Sequence, residues 1–341
     1  MGRVQGAPVG RWRLGGLIAL AIVLCGCVLL GLVLGSRPLP LGDVLAALLG
    51  KDVGDATIIV LDQRLPRTVL GVVVGAALGV GGAVAQGITR NPLADPALLG
   101  VSAGAALALV IGSFAFGIVT LTAQIPVASL GAALTGCLVL GLGTHGRAAM
   151  TPTGLALVGL ALSAMIVSVI STLVLLDAQT LDEYRYWLVG ALAGKGFPTV
   201  TVVAPVVAVG LVFAVLTVRG LDALALGDDV ARGLGLRLRW TRSLAGLAVV
   251  VLTGTAVAAT GPIAFVGLVV PHAARALTGP RHGWLLPYAA VLGGALLVLA
   301  DSVGRVIALP NEVQVGVITA LVGAPLVLVV LRHARVTELT T

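Results

Sequence analysis

The sequence predicts an all-α integral membrane protein, about ten transmembrane helices in one compact bundle, with both termini in the cytoplasm. Three observations predict it. Only 10% of the residues are charged and 58% are hydrophobic, whereas a soluble domain usually carries about a quarter charged. Apolar segments long enough to cross a hydrocarbon layer of roughly 30 Å recur along the whole chain, separated by short polar breaks. The basic residues divide unequally between alternate breaks, as the orientation of membrane proteins requires.

The expected spans are residues 14–35, 67–89, 98–119, 124–143, 152–176, 198–218, 241–260, 262–278, 284–304 and 314–332. The first follows Arg3, Arg11 and Arg13 and lacks a convincing cleavage site. With many spans after it, it reads as a helix and not a signal peptide. Gly and Pro interrupt the segments 93–119 and 254–272, so a broken helix is expected in one of them, where neighbouring protein meets the freed backbone groups. An even count returns the C-terminus to the side of the N-terminus. Fourteen of the 21 Lys and Arg residues then lie inside; Arg37, Lys51, Arg64, Arg67, Arg185, Lys195 and Arg305 lie outside. Gly71, Gly75 and Gly79, and again Gly100 and Gly104, recur every four residues. This spacing lets helix backbones approach closely in lipid. No linker divides residues 1–341, which read as a single transmembrane domain.

Several function classes are excluded. The net charge of +7 comes from arginines set singly between apolar runs, not from a basic tract, so nucleic acid is not the partner. Cys25, Cys27 and Cys137 lie in apolar segments without zinc spacing and act as small hydrophobic residues. No Walker loop occurs, and neither lysine, Lys51 or Lys195, has that context. No cluster with metal-ligand spacing is present; His145, His272, His282 and His333 read as interfacial residues at cytoplasmic helix ends. Mid-span carboxylates, which an ion-coupled carrier needs, are missing, and Asp301 sits near an outer helix end. An ion-coupled secondary transporter is the alternative of a different class. Scattered Ser102, Ser163, Ser168 and Ser171 read as packing residues and not as an intramembrane enzyme. No catalytic residue is expected, and energy must come from another polypeptide.

The longest charged interruption is Leu221–Arg242, which holds Asp222, Asp228, Asp229, Arg232, Arg237, Arg239 and Arg242. Gly227, Gly233 and Gly235 divide it into what would be two short helices. It reads either as a solvated loop or as a cytoplasmic docking surface, with charged rims around Leu224, Leu226 and Leu234.

Four segments resemble one family. RLPRTVLGVVVGAALGVGGAVAQGITRNPLADPALLGVSAGA at 64–105, GPIAFVGLVVPHAAR at 261–275, LADSVGR at 299–305 and GVITALVGAPL at 316–326 are similar to the FecCD/cobalamin-type ABC importer permeases. The resemblance runs from about Leu39 to Leu331, and NPLADPALLG at 91–100 is its most specific part.

The resemblance implies a permease of the bacterial cytoplasmic membrane that forms half of a translocation pathway. Its cargo would be ferric siderophores, with cobalamin or haem as alternatives. The implied partners are a second permease, two ATPase subunits that hold ATP and Mg, and an external substrate-binding lipoprotein. No cofactor or metal is implied on this chain. The family's coupling helices match residues 221–240, which assigns ATPase contact to Leu224, Leu226, Gly227, Asp228, Ala231, Arg232, Leu234 and Gly235. Its docking arginines, which pair with carboxylates of the binding protein, match Arg64, Arg67 and Arg305; guanidinium forks suit such contacts. Asp301, four residues before Arg305 on one helix face, could equally hold it in place. Asn91, Pro92 and Asp95 carry structural-turn roles first and gating second, Pro271 and His272 mark an inner helix end, and Trp187 and Gly190 match an outer feature. Gln314 replaces the family's usual proline, so the start of the last helix is expected to differ.

Overall fold

A computed structural model describes residues 9–92, 94–96, 100–118, 120–142 and 152–338. Arg3 and Arg147 of the charge count, and His145, lie outside the described residues. Among those described, every regular element is helical. The chain runs α1 (Val9–Val33), α2 (Leu41–Leu48), α3 (Asp55–Ile58), a π-helical turn (Ile59–Arg64), α4 (Leu65–Thr89), α5 (Val101–Phe116), α6 (Leu121–Leu142) and α7 (Pro152–Leu176). It continues with α8 (Ala178–Leu188), α9 (Phe197–Leu224), α10 (Asp228–Gly233), α11 (Leu238–Thr260), α12 (Val266–Thr278), α13 (His282–Ile307) and α14 (Val315–Glu338).

Among the described residues, six helical stretches are long and apolar enough to cross a membrane, those of α1, the continuous Asp55–Thr89, α7, α9, α11 and α13. The other expected segments also contain helices, but α5 has 16 residues and α12 only 13. At 1.5 Å per residue these are about 24 and 20 Å long, short of the hydrocarbon layer. Irregular backbone supplies the difference, and the Gly/Pro interruptions place it. Between α11 and α12, residues 261–265 leave the helix, and Phe265 adopts φ +67°. Gly323 of α14 makes room: a Cβ there would lie 2.3 Å from the Phe265 Cβ.

The freed backbone groups find partners in the neighbouring loops. Ala191 N donates to Thr260 O (2.7 Å) and Gly316 N to Gly190 O (3.1 Å). Gly190 and Gly261 both take positive φ, and a Cβ on Gly261 would lie 2.0 Å from the Trp187 carbonyl oxygen. The Trp187–Gly190 feature is therefore a backbone junction, with the indole packed part-buried on the core. Gln314 stands immediately before α14, and its carbonyl accepts from Val317 N and Ile318 N.

Helix α4 forms the axis of the bundle and packs on α13, α11, α9 and α12. The most apolar stretches of the α4 and α11 spans are 78% buried, against 17% for α1 and 22% for α7. Small residues make this possible. A Cβ on Gly75 would lie 2.2 Å from Gly293 O, one on Gly79 2.4 Å from Ala289 O, and one on Gly82 1.9 Å from Gly267 O. Gly104 repeats the device against Gly131 of α6, at 2.5 Å from its carbonyl oxygen. The expected spacing thus marks backbone contacts at Gly75, Gly79 and Gly104, whereas Gly71 faces the side chains of Val298 and Leu192 and Gly100 is the left-handed N-cap of α5; Gly82 is a further backbone contact outside the four-residue register. Ser168 and Ser171 depart from the packing role: both face out of α7 and donate to their own i−4 carbonyls.

Replacing Gly82 by Ala is expected to cost about 1–3 kcal/mol through overpacking, whereas Gly26→Ala, with nothing within 4 Å, shifts stability by less than about 1 kcal/mol. Thermal unfolding of the two variants in detergent checks the contrast.

Candidate functional site

The bundle carries charge at its two ends, and each end ties separate helices together. At the outer end, Pro66 lies at the start of α4. A proline in a helix cannot donate to the i−4 carbonyl and its ring crowds that group; the π-helical turn Ile59–Arg64 widens the backbone just before it. Arg64 closes that turn and Arg67 follows three residues later.

Arg64 and Arg305 both reach the C-terminus of α1. Arg64 Nη1 donates to Leu32 O (2.7 Å) and Val33 O (2.8 Å), and its Nη2 donates to Arg37 O. Arg305 Nη1 donates to Gly31 O (2.9 Å) and Leu34 O (3.0 Å). The last carbonyls of a helix have no partner within it, and cations near them are favoured by the helix dipole. Two guanidiniums therefore cap α1. Arg67 spends its donors on carboxylates: Nε and Nη2 on Asp301 (2.8–3.1 Å) and Nη1 on Glu312 (2.7 Å). Asp301 Oδ2 also lies 3.2 Å from Arg305 Nε, although the angle between them is too poor for a hydrogen bond and leaves that Nε without a partner.

Of the three arginines expected to dock the binding protein, two are largely buried in this chain. Arg64 is 6% exposed and Arg305 2%, because both are needed as caps. Asp301 does hold Arg305, as the spacing suggested, while its shorter contacts go to Arg67. What remains open to the outside is a pocket lined by Arg37, Gln63, Arg64, Arg67, Arg305 and Glu312. Within the buried group three guanidiniums face two carboxylates, leaving one positive charge over.

Helix α8 packs on α5 and α7. Asp177 caps it, accepting from Thr180 N (2.8 Å) and Thr180 Oγ1 (2.6 Å), and these bonds hold its carboxyl below the usual range. Glu183 accepts from Ser113 Oγ at 2.8 Å and so pins α8 to α5. Half-buried Lys195 follows α8; desolvation lowers its pKa to about 8.

At the inner end, α10 lies across the junction of α9 and α11. Leu226, Val230, Leu234 and Trp240 are exposed there. Leu224 at the end of α9 and Ala231 on the inward side of α10 are buried at 1% and 0%. Gly227 and Gly235 hold positive φ at the two ends of α10, and Arg232 pairs locally with Asp229 at 2.7 Å. Asp228 turns inward, with Oδ2 2.9 Å from Arg242 Nη2 and Oδ1 3.3 Å from Arg90 Nη2.

Other inner residues were not legible as partners in the sequence. His282 is buried, not interfacial: its backbone N and Nδ1 both lie 2.8 Å from Asp222 Oδ1, joining α13 to α9. Arg275 Nη2 donates to Gln86 Oε1 at 3.1 Å, joining α12 to α4. Asn91 and Pro92 form the turn after α4, where Ala94 N donates to Asn91 O (3.1 Å), and Asp95 follows in the same connection. Pro92 also lines an apolar groove with Leu268, Val269, His272 and Leu326. Among the described residues no group of His, Cys, Asp and Glu could hold a metal ion.

Comparison with known proteins covers nearly the whole chain. The sequence profile of the FecCD transport family matches residues 20–333. The ferric enterobactin transport system permease protein FepD of Escherichia coli is 41% identical over 93% of this chain and 94% of its own length. The cobalamin import system permease protein BtuC of Halobacterium salinarum is 41% identical over 83% of this chain and 76% of its own. A solved structure described as an inward-facing transporter of the metal-chelate ABC type superposes with TM-score 0.82 at 28% identity, covering 93% of this chain and 98% of that one.

Two measurements test the outer end. Arg305→Met leaves the Gly31 and Leu34 carbonyls without their donor in a buried site and is expected to destabilise the protein by about 1–3 kcal/mol, read as thermal unfolding in detergent. Lys195 should be labelled by amine-reactive reagents with a midpoint near pH 8, assigned by mass spectrometry against Lys51, the other of the two lysines. Its lowered pKa means that the unfolded chain binds the extra proton between about 8 and 10.5, so stability rises with pH across that window.

Proposed function

The chain belongs to the FecCD transport family, and we propose that it is the membrane permease of a binding-protein-dependent ABC importer for ferric siderophores. The observation that carries this reading is the match to the ferric enterobactin permease over almost the full length of both chains. The chain supplies passage and no covalent chemistry. ATP and Mg are held by partner ATPase subunits on the cytoplasmic side of a bacterial membrane.

Residues 1–341 act as a single permease domain, and 221–240 as its ATPase contact. On α10 the contact surface consists of Leu226, Val230 and Leu234, apolar and exposed, with Arg232 at its rim. Gly227 and Gly235 set its ends. At the opposite end the pocket around Arg64, Arg67 and Arg305 receives a carboxylate of the external binding protein, drawn by the surplus positive charge. Charge pairing of this kind steers encounter and fixes register.

A second permease, identical or related, completes the pathway. Two features favour α7 and the grooves between α12 and α14 for this purpose. Ser168, Ser171 and Thr172 place hydroxyls on the exposed side of α7. Apolar grooves between α12 and α14 lie open beside Val269 and Leu326. A smooth wall with little to bind suits release of a bulky chelate. Pro92 at the inner mouth of one groove, with Asn91 and Asp95 in the same connection, gives the inner gate. The 41% identity to a cobalamin permease supports cobalamin as the second reading of the cargo, with haem behind it.

Proteoliposomes holding this chain, its ATPase and its binding protein decide between them. Uptake of radiolabelled ferric enterobactin, dependent on internal ATP and absent with cobalamin, is the expected result. Cobalamin uptake alone would transfer the reading to the second cargo. Accumulation driven by a proton gradient without an ATPase would refute the importer reading altogether.

A further inference from the structure

We infer that Asp228 is the positioning residue that couples the ATPase-contact helix to the axial helix of the bundle, through Arg90. The inference deepens the reading of α10 as the ATPase contact and rests on it.

Neighbouring acids on α10 behave oppositely. Asp229 is 96% exposed and bonds within its own helix, to Arg232 three residues on. An exposed pair of this kind contributes little and reaches no other element. Asp228 is 25% exposed and contacts two arginines from two different helices. Arg242 is in the first turns of α11 and only 14% exposed. Arg90 is the C-cap of α4, with φ +51°, a conformation uncommon for a residue with a side chain. One carboxylate thus joins α10, α11 and α4.

The direction of the link follows from what each helix is fixed to. The α11 contact closes the short α10–α11 turn and holds α10 in place. The α4 contact spans from residue 228 to residue 90 and bridges elements that otherwise pack through α9 and α11. Arg90 is followed at once by Asn91 and Pro92, the turn at the mouth of the inner groove. A displacement of α10 by a partner therefore bears on the residue that starts this turn. Alpha-helical backbone transmits such a push along α4, since α4 touches α12 and α13 backbone to backbone at Gly82 and Gly75.

The test uses the reconstituted importer with ferric enterobactin as probe and three readouts: co-purification of the ATPase, ATP hydrolysis, and uptake per ATP hydrolysed. Arg90→Gln is expected to keep assembly and hydrolysis while uptake per ATP falls about five-fold, the effect of losing one partly exposed link. Arg90→Lys, which keeps the charge, should restore most of it; a simple packing defect would not be rescued in this way. Leu226→Ser with Leu234→Ser should instead abolish co-purification. Parental uptake per ATP in Arg90→Gln overturns the inference and leaves the α10 contact standing. Loss of assembly in Arg90→Gln overturns it too, by making Arg90 part of the contact surface. Normal assembly in the double Leu variant overturns the α10 reading and the inference with it.

Discussion

Backbone contact along α4 is the constraint on which the rest of the bundle depends. Lipid gives helices no hydrophobic reason to associate, so packing must come from van der Waals fit and interhelical polar contact. The separations at Gly75, Gly79 and Gly82 leave no space for a side chain, which brings α13 and α12 as near to α4 as backbones allow. Ring closure around that axis then sets which helices are inner and which face outward. Helices α1 and α7 remain mostly exposed because the axial positions are already taken. The two charged ends follow from the same arrangement, since α4, α13 and α11 start or stop there together.

The outer arginines show how a membrane chain can break the charge rule and gain from it. A helix end set at the edge of the hydrocarbon layer leaves carbonyls that cost several kcal/mol if unmet. Arg64 and Arg305 meet four of them on or just after α1. Burying guanidiniums carries its own desolvation cost, and an isolated carboxylate beside them would be costlier still. Interlocking Arg67 with Asp301 and Glu312 answers both at once. Glu312 closes the group from the α13–α14 connection, so the charge cluster also fixes where α14 begins.

How far this was legible in the sequence depends on the range of each signal. Spans, sidedness and the glycine contacts are local in sequence: apolar length, basic flanks and four-residue spacing are properties of short windows. The same holds for Leu226 and Leu234, exposed apolar residues within a charged break. The burial of Leu224 and Ala231 was not legible, because a short helix lying on its neighbours has a hidden underside that spacing alone does not reveal. Pairs such as Asp222 with His282, Gln86 with Arg275 and Asp228 with Arg90 lie 60 to 189 residues apart. No periodicity announces them, because each depends on the order in which helices close the bundle. The burial of Arg64 and Arg305 was hidden for the same reason: the carbonyls they cap belong to a helix that ends some 30 or 270 residues away.

The ends are connected by one element. Asp55–Thr89 is a continuous helical stretch of 35 residues, about 50 Å at 1.5 Å per residue. Its outer part carries Arg64 and Arg67, its inner cap is Arg90, and the glycine contacts lie between. Side-chain packing can yield by rotamer changes, whereas two backbones in contact can only slide or separate together. A load applied at either charged cluster is therefore shared among α4, α13 and α12 before it reaches the peripheral helices. The π-helical turn at Ile59–Arg64 is the one irregular step along this stretch, and it lies outside the glycine contacts. The irregular backbone thus lies at the outer end, and the part joined to α10 is regular helix as far as its cap at Arg90. That division suits the proposed reading, in which one end adjusts to an arriving partner and the other answers to a motor.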